Sequence, residues 1–168
     1  VFIQTSQANM CKNNEFDTVY HEHINFFNVR SMGFLTKRAN LKLYNVEKKP
    51  IHGTSYLFVI KLKSDKSKIK NALKKESYLN YSYYKKWGIN CLNVVKKINE
   101  KIKIIKKKQI VIGYGAAAKA NTFLNFSKIK LDYIIDDNKL KQNKYCPGNK
   151  IPIKSQNLLK KIKKDIYI

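Results

Sequence analysis

The chain has 168 residues, 43% of them apolar, which is enough to build one or two packed domains. It carries 35 Lys and Arg against 11 Asp and Glu, and the resulting net charge of +24 excludes an acidic solvating tail. Only Arg30 and Arg38 are arginines. Because phosphate and base recognition favours the bidentate guanidinium group, and because Lys, Asn, Ile and Tyr have A/T-rich codons, we interpret the charge as compositional bias. Nucleic acid is not the expected partner.

The three cysteines, Cys11, Cys91 and Cys146, are far apart and form no CxxC pair. They predict neither a zinc site nor a disulfide framework, so a reducing, cytoplasmic compartment is expected. The longest apolar runs are far shorter than the roughly 20 residues needed to cross a bilayer, so no membrane span is predicted. Both ends are interpreted as truncated, because the chain starts without methionine and stops where a strand is predicted to begin.

The first of three predicted segments, residues 1–62, holds clusters of Asn, His and aromatic residues. It is expected to contain a short helix over residues 30–39. Alternating or continuous apolar runs then predict two paired strands, over residues 41–46 and 55–62. This segment also carries the densest group of ionisable side chains.

The middle segment, residues 63–108, is lysine-rich and repeats apolar residues every three or four positions. This period predicts a helical connector of one or two long helices, with a break at Gly88 because glycine costs about 1 kcal/mol against alanine inside a helix. Its tyrosines and Trp87 are interpreted as packing groups, and base stacking is the alternative.

The last segment, residues 109–168, alternates short apolar runs with turns. It predicts strands over residues 109–112, 131–135 and 150–153 and from residue 166, with helices over residues 116–126 and 156–163. Such alternation requires a parallel sheet with right-handed crossovers. The predicted fold class is therefore α/β: an incomplete, C-terminal Rossmann-like parallel sheet, preceded by a small strand pair and long helices.

A glycine-rich turn, GYGAAAK, follows the first predicted strand of this sheet. In the G-x-G-x-x-G/A pattern Gly113 allows a tight turn and Gly115 lets a ligand approach the backbone, while the following helix offers its N-terminus to an anion. Asp136 lies 21 residues after Gly115, at the ribose-binding position. The pattern predicts a nucleotide site, and a turn needed only for packing is the alternative.

A second motif, YHEH, places Tyr20, His21, Glu22 and His23 side by side. A histidine beside a carboxylate can take a proton near neutral pH, and a tyrosine hydroxyl can donate to a developing oxyanion. The two histidines could also bind a metal, but no third and fourth ligand stands at a recognisable spacing, so no metal site is predicted. Ordinary polar packing is the remaining alternative.

Four motifs occur in order between about residues 13 and 153: NEFDTVYHEH, PIHGTS, GYGAAAKANT, and YIIDDN with YCPG and IPI. Together they resemble the S-adenosylmethionine-dependent sugar C-methyltransferases, enzymes that methylate a carbon next to a ketone in nucleotide-linked deoxysugars. This chain resembles the C-terminal catalytic and substrate-binding portion of the family. The resemblance implies a nucleotide-sugar substrate, and S-adenosylmethionine bound mainly by a domain absent from this chain, so that the isolated fragment is expected to be inactive.

The resemblance also implies roles for individual residues. His23 would be the base that generates an enolate, with Glu22 and Tyr20 orienting it or the enolate oxygen and His21 supporting the loop or contacting the substrate. The substrate-binding residues would be His52, Gly113, Tyr114, Gly115, Lys119, Asn121, Thr122 and Asp136. The chain departs from the family at Thr54 and Ala120, where glycine is usual, and each added Cβ is expected to narrow the pocket or restrict φ.

Two other functions fit the residues. A nucleotide-binding module without chemistry would use Gly113, Gly115 and Asp136 and would tolerate changes at His23 and Glu22. A nucleic-acid-binding protein would use the lysines and tyrosines, with an affinity that falls steeply as salt is added.

Overall fold

The computed structural model describes residues 1–6, 8–51, 53–63 and 67–168. They form two compact units, each with its own sheet and its own hydrophobic core. The first unit comprises Val1–Glu15 with His21–Ile89, and the second comprises Phe16–Tyr20 with Asn90–Ile168. Within the described residues, no helix combines the length and the apolar character that crossing a membrane requires.

The first unit contains a small sheet and three short helices. Its elements are β1 (Phe2–Thr5), α1 (Met10–Asn13), α2 (Val29–Arg38), β2 (Lys42–Lys49), β3 (Ser55–Lys61) and α3 (Lys70–Lys75). The three strands are antiparallel in the order β1–β3–β2. The pairing sets Phe2 opposite Val59 and Leu43 opposite Ile60. The predicted strand pair is confirmed, and β1 is a third strand that the sequence did not indicate.

Helix α2 packs one face against this sheet. It begins with a capping box, in which the Asn28 side chain accepts from the Ser31 N–H and the Ser31 hydroxyl accepts from the Asn28 N–H. Its buried Val29 and Met32 join strand residues in one apolar cluster, whose other members are Leu43, Tyr56, Phe58 and Ile60. Burying each large apolar side chain contributes about 1.5–3 kcal/mol. The predicted helix over residues 30–39 is confirmed.

The connector holds the short helix α3 and a long helix, α4 (Tyr81–Ile105). The expected break at Gly88 is wrong, because α4 runs through Gly88 without interruption. The chain breaks earlier, between α3 and Tyr81, where the Asn80 Oδ1 accepts from the Tyr83 N–H at 2.9 Å and caps the new helix. A glycine penalty of about 1 kcal/mol is too small to end a helix whose other turns are packed.

The second unit is built on a four-stranded parallel sheet, as predicted. Its elements are β4 (Ile110–Tyr114), α5 (Ala118–Ser127), β5 (Tyr133–Ile135), β6 (Ile153–Lys154), a 3₁₀ helix (Gln156–Lys161) and β7 (Ile166–Tyr167). The strand order is β6–β5–β4–β7, and every pairing is parallel. Its core consists of Leu124, Ile129, Ile134, Cys146, Ile151 and Ile153. The predicted α/β fold class is confirmed.

Several boundaries in the second unit differ from the prediction, and three of the differences have a local reason. Helix α5 begins at Ala118 instead of residue 116, because Ala117 is extended with ψ 162°. Strand β6 begins after Pro152, which has no N–H to donate. The predicted helix over residues 156–163 is a shorter 3₁₀ helix, because it buries no side chain that could stabilise a full α-helix.

Candidate functional site

The YHEH motif follows a short 3₁₀ helix, Phe16–Thr18, in which Phe16 and Thr18 are buried. The Phe16 ring contacts the rings of Phe123 and Phe126 on α5, with centroid distances of 5.7 and 4.7 Å. Aromatic pairs at these distances stabilise beyond their buried area. The 3₁₀ helix that precedes the motif therefore packs on α5 within the second unit.

Within the motif, His23 and Glu22 line a cavity of about 350 Å³ in the first unit. The other lining residues are the end of β1 and the two residues after His23, namely Gln4, Thr5, Ser6, Ile24 and Asn25. His23 is half-buried and Glu22 is exposed. His21 is exposed and Tyr20 is half-buried, and neither lines this cavity. The structure thus brings together the predicted base and its neighbouring carboxylate beside open space.

The glycine-rich turn lies at the carboxyl end of β4 in the second unit. Gly115 has φ +90°, a conformation that glycine adopts without the strain other residues incur. A Cβ on Gly113 would stand 3.0 Å from the Leu131 Cδ1 atom, so the missing side chain permits close packing. Gly113 lies within β4 and serves close packing instead of the tight turn that the sequence predicted, while the positive φ of Gly115 fits a turn and ligand approach there stays a prediction.

A cavity of about 340 Å³ lies beside this turn. Four of the predicted substrate-binding residues line it, namely Gly113, Tyr114, Gly115 and Lys119. The rest of the lining is nearly all apolar and consists of Ile102, Ala120, Phe123, Leu124, Ile129, Leu131 and Ile134, with Asp17 as the second charged group. Concave, mostly apolar walls with a few polar groups are typical of small-molecule sites.

Asp136 follows β5 and is 7% exposed. Its Oδ2 accepts from the Ala116 N–H at 2.7 Å, and its Oδ1 accepts from the Asn138 N–H at 2.8 Å. Lys141 Nζ stands 3.3 Å from the same Oδ2. The Asn138 hydrogen bond is the largest cause that holds the pKa of Asp136 below its ordinary value, and Ala116 and Lys141 act in the same direction. Ribose binding by Asp136 stays a prediction, and the observed contacts tie it to the turn.

Sequence analysis did not single out Lys141 and Gln142. Both lie in the loop after β5 and donate hydrogen bonds to the backbone of Ala116 and Asp136. Lys141 Nζ donates to the Ala116 carbonyl at 3.0 Å, and Gln142 Nε2 donates to the Asp136 carbonyl at 2.9 Å. Their signal was present, since polar residues that follow a parallel strand gather at the carboxyl edge of the sheet, where ligands bind.

The remaining predicted residues have varied positions. The Thr122 hydroxyl donates to the Ala118 carbonyl within α5, and the buried Asn121 Oδ1 has no hydrogen-bond partner among the described residues. His52 lies outside the described residues. Neither Thr54 nor Ala120 has a positive φ, so an added Cβ strains neither backbone. Ala120 does line the cavity beside the turn, where its Cβ takes up space.

Among the described residues, the strand–turn–helix arrangement at which a nucleotide-containing cofactor binds is found in the second unit and not in the sheet of the first. A cofactor of this kind binds where a parallel strand passes through a glycine-rich turn into a helix. The sheet of the first unit is antiparallel, and the turn at Gly113–Gly115 belongs to the second unit. In the same described residues, no group of three or more His, Cys, Asp or Glu side chains could hold a metal ion.

Residues 109–168 thus present a parallel α/β sheet whose glycine-rich turn borders a cavity, the arrangement of a nucleotide- or cofactor-binding module. Residues 50–168 match the family described as C-methyltransferase C-terminal domain, and the chain belongs to that family. It is also similar to C-methyltransferase NovU from Streptomyces niveus, with 25% identity over 155 residues. That similarity covers 86% of this chain but 37% of the relative, so the chain spans little more than a third of the relative's length.

Proposed function

We propose that the protein containing this chain transfers a methyl group to a carbon atom next to the ketone of a keto-deoxysugar nucleotide. Membership of the C-methyltransferase C-terminal domain family supports carbon methylation. The sugar-nucleotide substrate rests on the resemblance of the ordered motifs. S-adenosylmethionine would supply the methyl group, and the resemblance implies that a domain outside this chain holds most of it.

The chemical step that we assign to this chain is removal of a proton from the substrate. A C–H bond beside a ketone must lose its proton before the carbon can act as a nucleophile, and the bonding pair then moves onto the carbonyl oxygen to give an enolate. His23 would take the proton, and the resemblance gives Glu22 and Tyr20 the role of orienting His23 or the enolate oxygen. His21 would support the loop or contact the substrate. The observation that carries this assignment is that His23 and Glu22 line one cavity.

The nucleotide would bind at the turn of the second unit. Helix α5 starts there with Ala117 as its N-cap, and no side chain of the described residues caps it. Uncapped N–H groups and the helix dipole favour an anion at this position. Lys119 adds a positive charge on the first turn of α5, and the neighbouring cavity of about 340 Å³ could receive an apolar part of the ligand.

The base assignment is tested with the full-length protein, S-adenosylmethionine and a keto-deoxysugar nucleotide in D₂O. His23→Asn is expected to lower turnover by about 10²- to 10⁴-fold, because a positioned general base contributes that much. Deuterium should enter the carbon beside the ketone in the wild type and not in the variant. Affinity for the sugar nucleotide should hardly change, which is the control for folding. Unchanged turnover in His23→Asn would reject the base.

A nucleotide-binding module without chemistry is the second candidate. One observation favours it: the family match begins at residue 50, after the YHEH motif. In that case the turn would bind a nucleoside diphosphate, while His23→Asn and Glu22→Gln would leave every measured property of the protein unchanged. Titration with a thymidine diphosphate sugar and with NAD, followed by the turnover assay, separates the two functions.

A further inference from the structure

We infer that Lys141 is a positioning residue that fixes the direction of the backbone N–H groups at the start of α5. The inference rests on the proposed function, because it supposes that these groups bind the diphosphate of a nucleotide. Neither the sequence motifs nor the family resemblance assigned a role to Lys141.

The contacts of Lys141 and Asp136 enclose a single residue of the turn. The Ala116 N–H donates to the Asp136 Oδ2 at 2.7 Å, and the Ala116 carbonyl accepts from the Lys141 Nζ at 3.0 Å. The ammonium group is also 3.3 Å from the same Oδ2. Both backbone polar groups of Ala116 are therefore held by one carboxylate–ammonium pair.

Holding the carbonyl determines where the next N–H points. A trans peptide group is planar, with its C=O and N–H on opposite sides. Because the Ala116 carbonyl is directed to Lys141, the Ala117 N–H must point away from the loop that carries Lys141. It thereby points away from residues 136–142 at the N-terminus of α5, the end that the helix dipole makes favourable to an anion.

The loop that carries Lys141 is itself fixed. The Asn138 N–H donates to the Asp136 Oδ1 at 2.8 Å, and Gln142 Nε2 donates to the Asp136 carbonyl at 2.9 Å. Lys141 is half-buried, which limits the side-chain conformations open to it. The loop that places the Lys141 ammonium group beside Ala116 is therefore itself held by hydrogen bonds to Asp136.

Charge gives Lys141 a second effect in the same direction. Asp136 places a negative charge one hydrogen bond away from the turn, where it would repel a bound diphosphate. The ammonium group at 3.3 Å offsets that charge. Lys141 therefore reduces the repulsion between the Asp136 carboxylate and an anion bound at the turn.

The test measures binding of thymidine diphosphate and of uridine diphosphate to the full-length protein by calorimetry. Lys141→Met keeps the aliphatic stem and should weaken binding by about 10- to 100-fold, the range expected when a charged hydrogen bond and a compensating charge are lost. Lys141→Arg should restore affinity to within a few-fold of wild type. Lys139→Met, in the same loop on an exposed side chain, is the matched control and should bind like wild type.

Spectra of ligand-free protein labelled with ¹⁵N-alanine distinguish positioning from direct contact. Lys141→Met should shift the amide signals of Ala116, Ala117 and Ala118, whereas Lys139→Met should not. Lys141→Met should weaken binding less in an Asp136→Asn background than in the wild type, because both residues act through one contact.

Three results would overturn the inference, and they are distinguishable. If wild type binds the diphosphates and Lys141→Met binds them equally well, the positioning role is wrong and the proposed function stands. If Lys141→Met weakens binding but leaves the alanine signals in place, Lys141 touches the ligand directly. If wild type binds neither diphosphate, nucleotide binding at the turn fails and the inference falls with it.

Discussion

Asp136 connects two elements through one side chain. Both of its carboxylate oxygens accept backbone N–H groups, one from the turn after β4 and one from its own loop. Hydrogen bonds to a charged acceptor contribute about 1.5–3 kcal/mol, more than bonds between neutral groups. The residue therefore stabilises the turn whether or not it also binds a ligand.

Asp136→Asn should destabilise the protein at pH 7 by about 1–3 kcal/mol, because the replacement accepts hydrogen bonds without charge. The pKa of Asp136 is lowered in the folded state, so its stabilisation is present above the ordinary aspartate value of about 3.9 and is lost as the pH falls through the lower folded value. The difference between wild type and variant, measured by urea unfolding, should therefore be largest near pH 7 and shrink below about pH 4.

The matched control for this prediction is Asp165→Asn, which changes an exposed carboxylate of the same unit. It should alter stability by less than about 0.5 kcal/mol at either pH. A loss of stability in Asp136→Asn that does not vary between pH 7 and pH 3.5 would contradict the charged hydrogen bonds described above.

At the scale of elements, Glu76 connects three parts of the first unit. It lies immediately after α3 and is 9% exposed. Its Oε2 accepts from the Val29 N–H at the start of α2 at 2.9 Å, and its Oε1 accepts from the Tyr56 hydroxyl on β3. Burial, together with the nearby Glu76 carboxylate, raises the pKa of Tyr56, so the tyrosine remains a hydroxyl donor.

Glu76→Ala should destabilise the protein by about 2–4 kcal/mol in urea unfolding, because two buried donors lose their acceptor. Adding Tyr56→Phe to that variant should cost less than Tyr56→Phe costs in the wild type, since the hydroxyl is then already unpaired with Glu76. Glu100→Ala, on the exposed side of α4, is the control and should change stability by less than about 0.5 kcal/mol. A comparable effect at both glutamates would refute this connection.

Helix α4 offers a second prediction at this scale. A Cβ added at Gly88 meets no atom within 4 Å, and the residue is helical with negative φ. Gly88→Ala should therefore raise stability by about 0.5–1 kcal/mol, because alanine loses less conformational entropy in a helix. Gly53→Ala, also in open space but at φ +86°, should instead cost about 1 kcal/mol or more. If both substitutions raised stability, or both lowered it, the result would contradict the backbone conformations described for Gly88 and Gly53.

At the scale of the whole molecule, the cysteines report on folding. Cys91 and Cys146 are 2% and 3% exposed and belong to the second unit, whereas Cys11 is half-buried in the first. Burial raises the pKa of the Cys91 and Cys146 thiols, so both hold little of the reactive thiolate at neutral pH.

A thiol reagent at pH 7 should therefore label Cys11 first and leave the other two protected. Rising urea should expose Cys91 and Cys146 together, because they belong to one compact unit, and labelling followed by mass spectrometry can count them. In Cys11→Ser, two slow thiols should remain. Equal rates for all three thiols in the native protein would contradict the described burial.

Much of the second unit was predictable because its signals are local. The apolar runs that became β4 and β5 are bounded by turns, and Gly115 has a positive φ that few other residues adopt easily. The break before α4 was missed because the sequence does not show that the Asn80 side chain accepts from the Tyr83 N–H and caps the helix. Strand β1 was missed because four residues carry too little periodicity to be read by themselves.

The sequence by itself determined the fold class, the place of the glycine-rich turn and the ordered motifs, of which those after residue 50 lie within the family match, since each depends on residues close together along the chain. Tertiary structure decided that His23 and Glu22 share a cavity with the end of β1, and that Lys141 and Asp136 hold Ala116 between them. The physical reason is that a hydrogen bond is made at about 3 Å in space. Lys141 and Ala116 are 25 residues apart, and only the parallel pairing of β4 with β5 brings them within that distance.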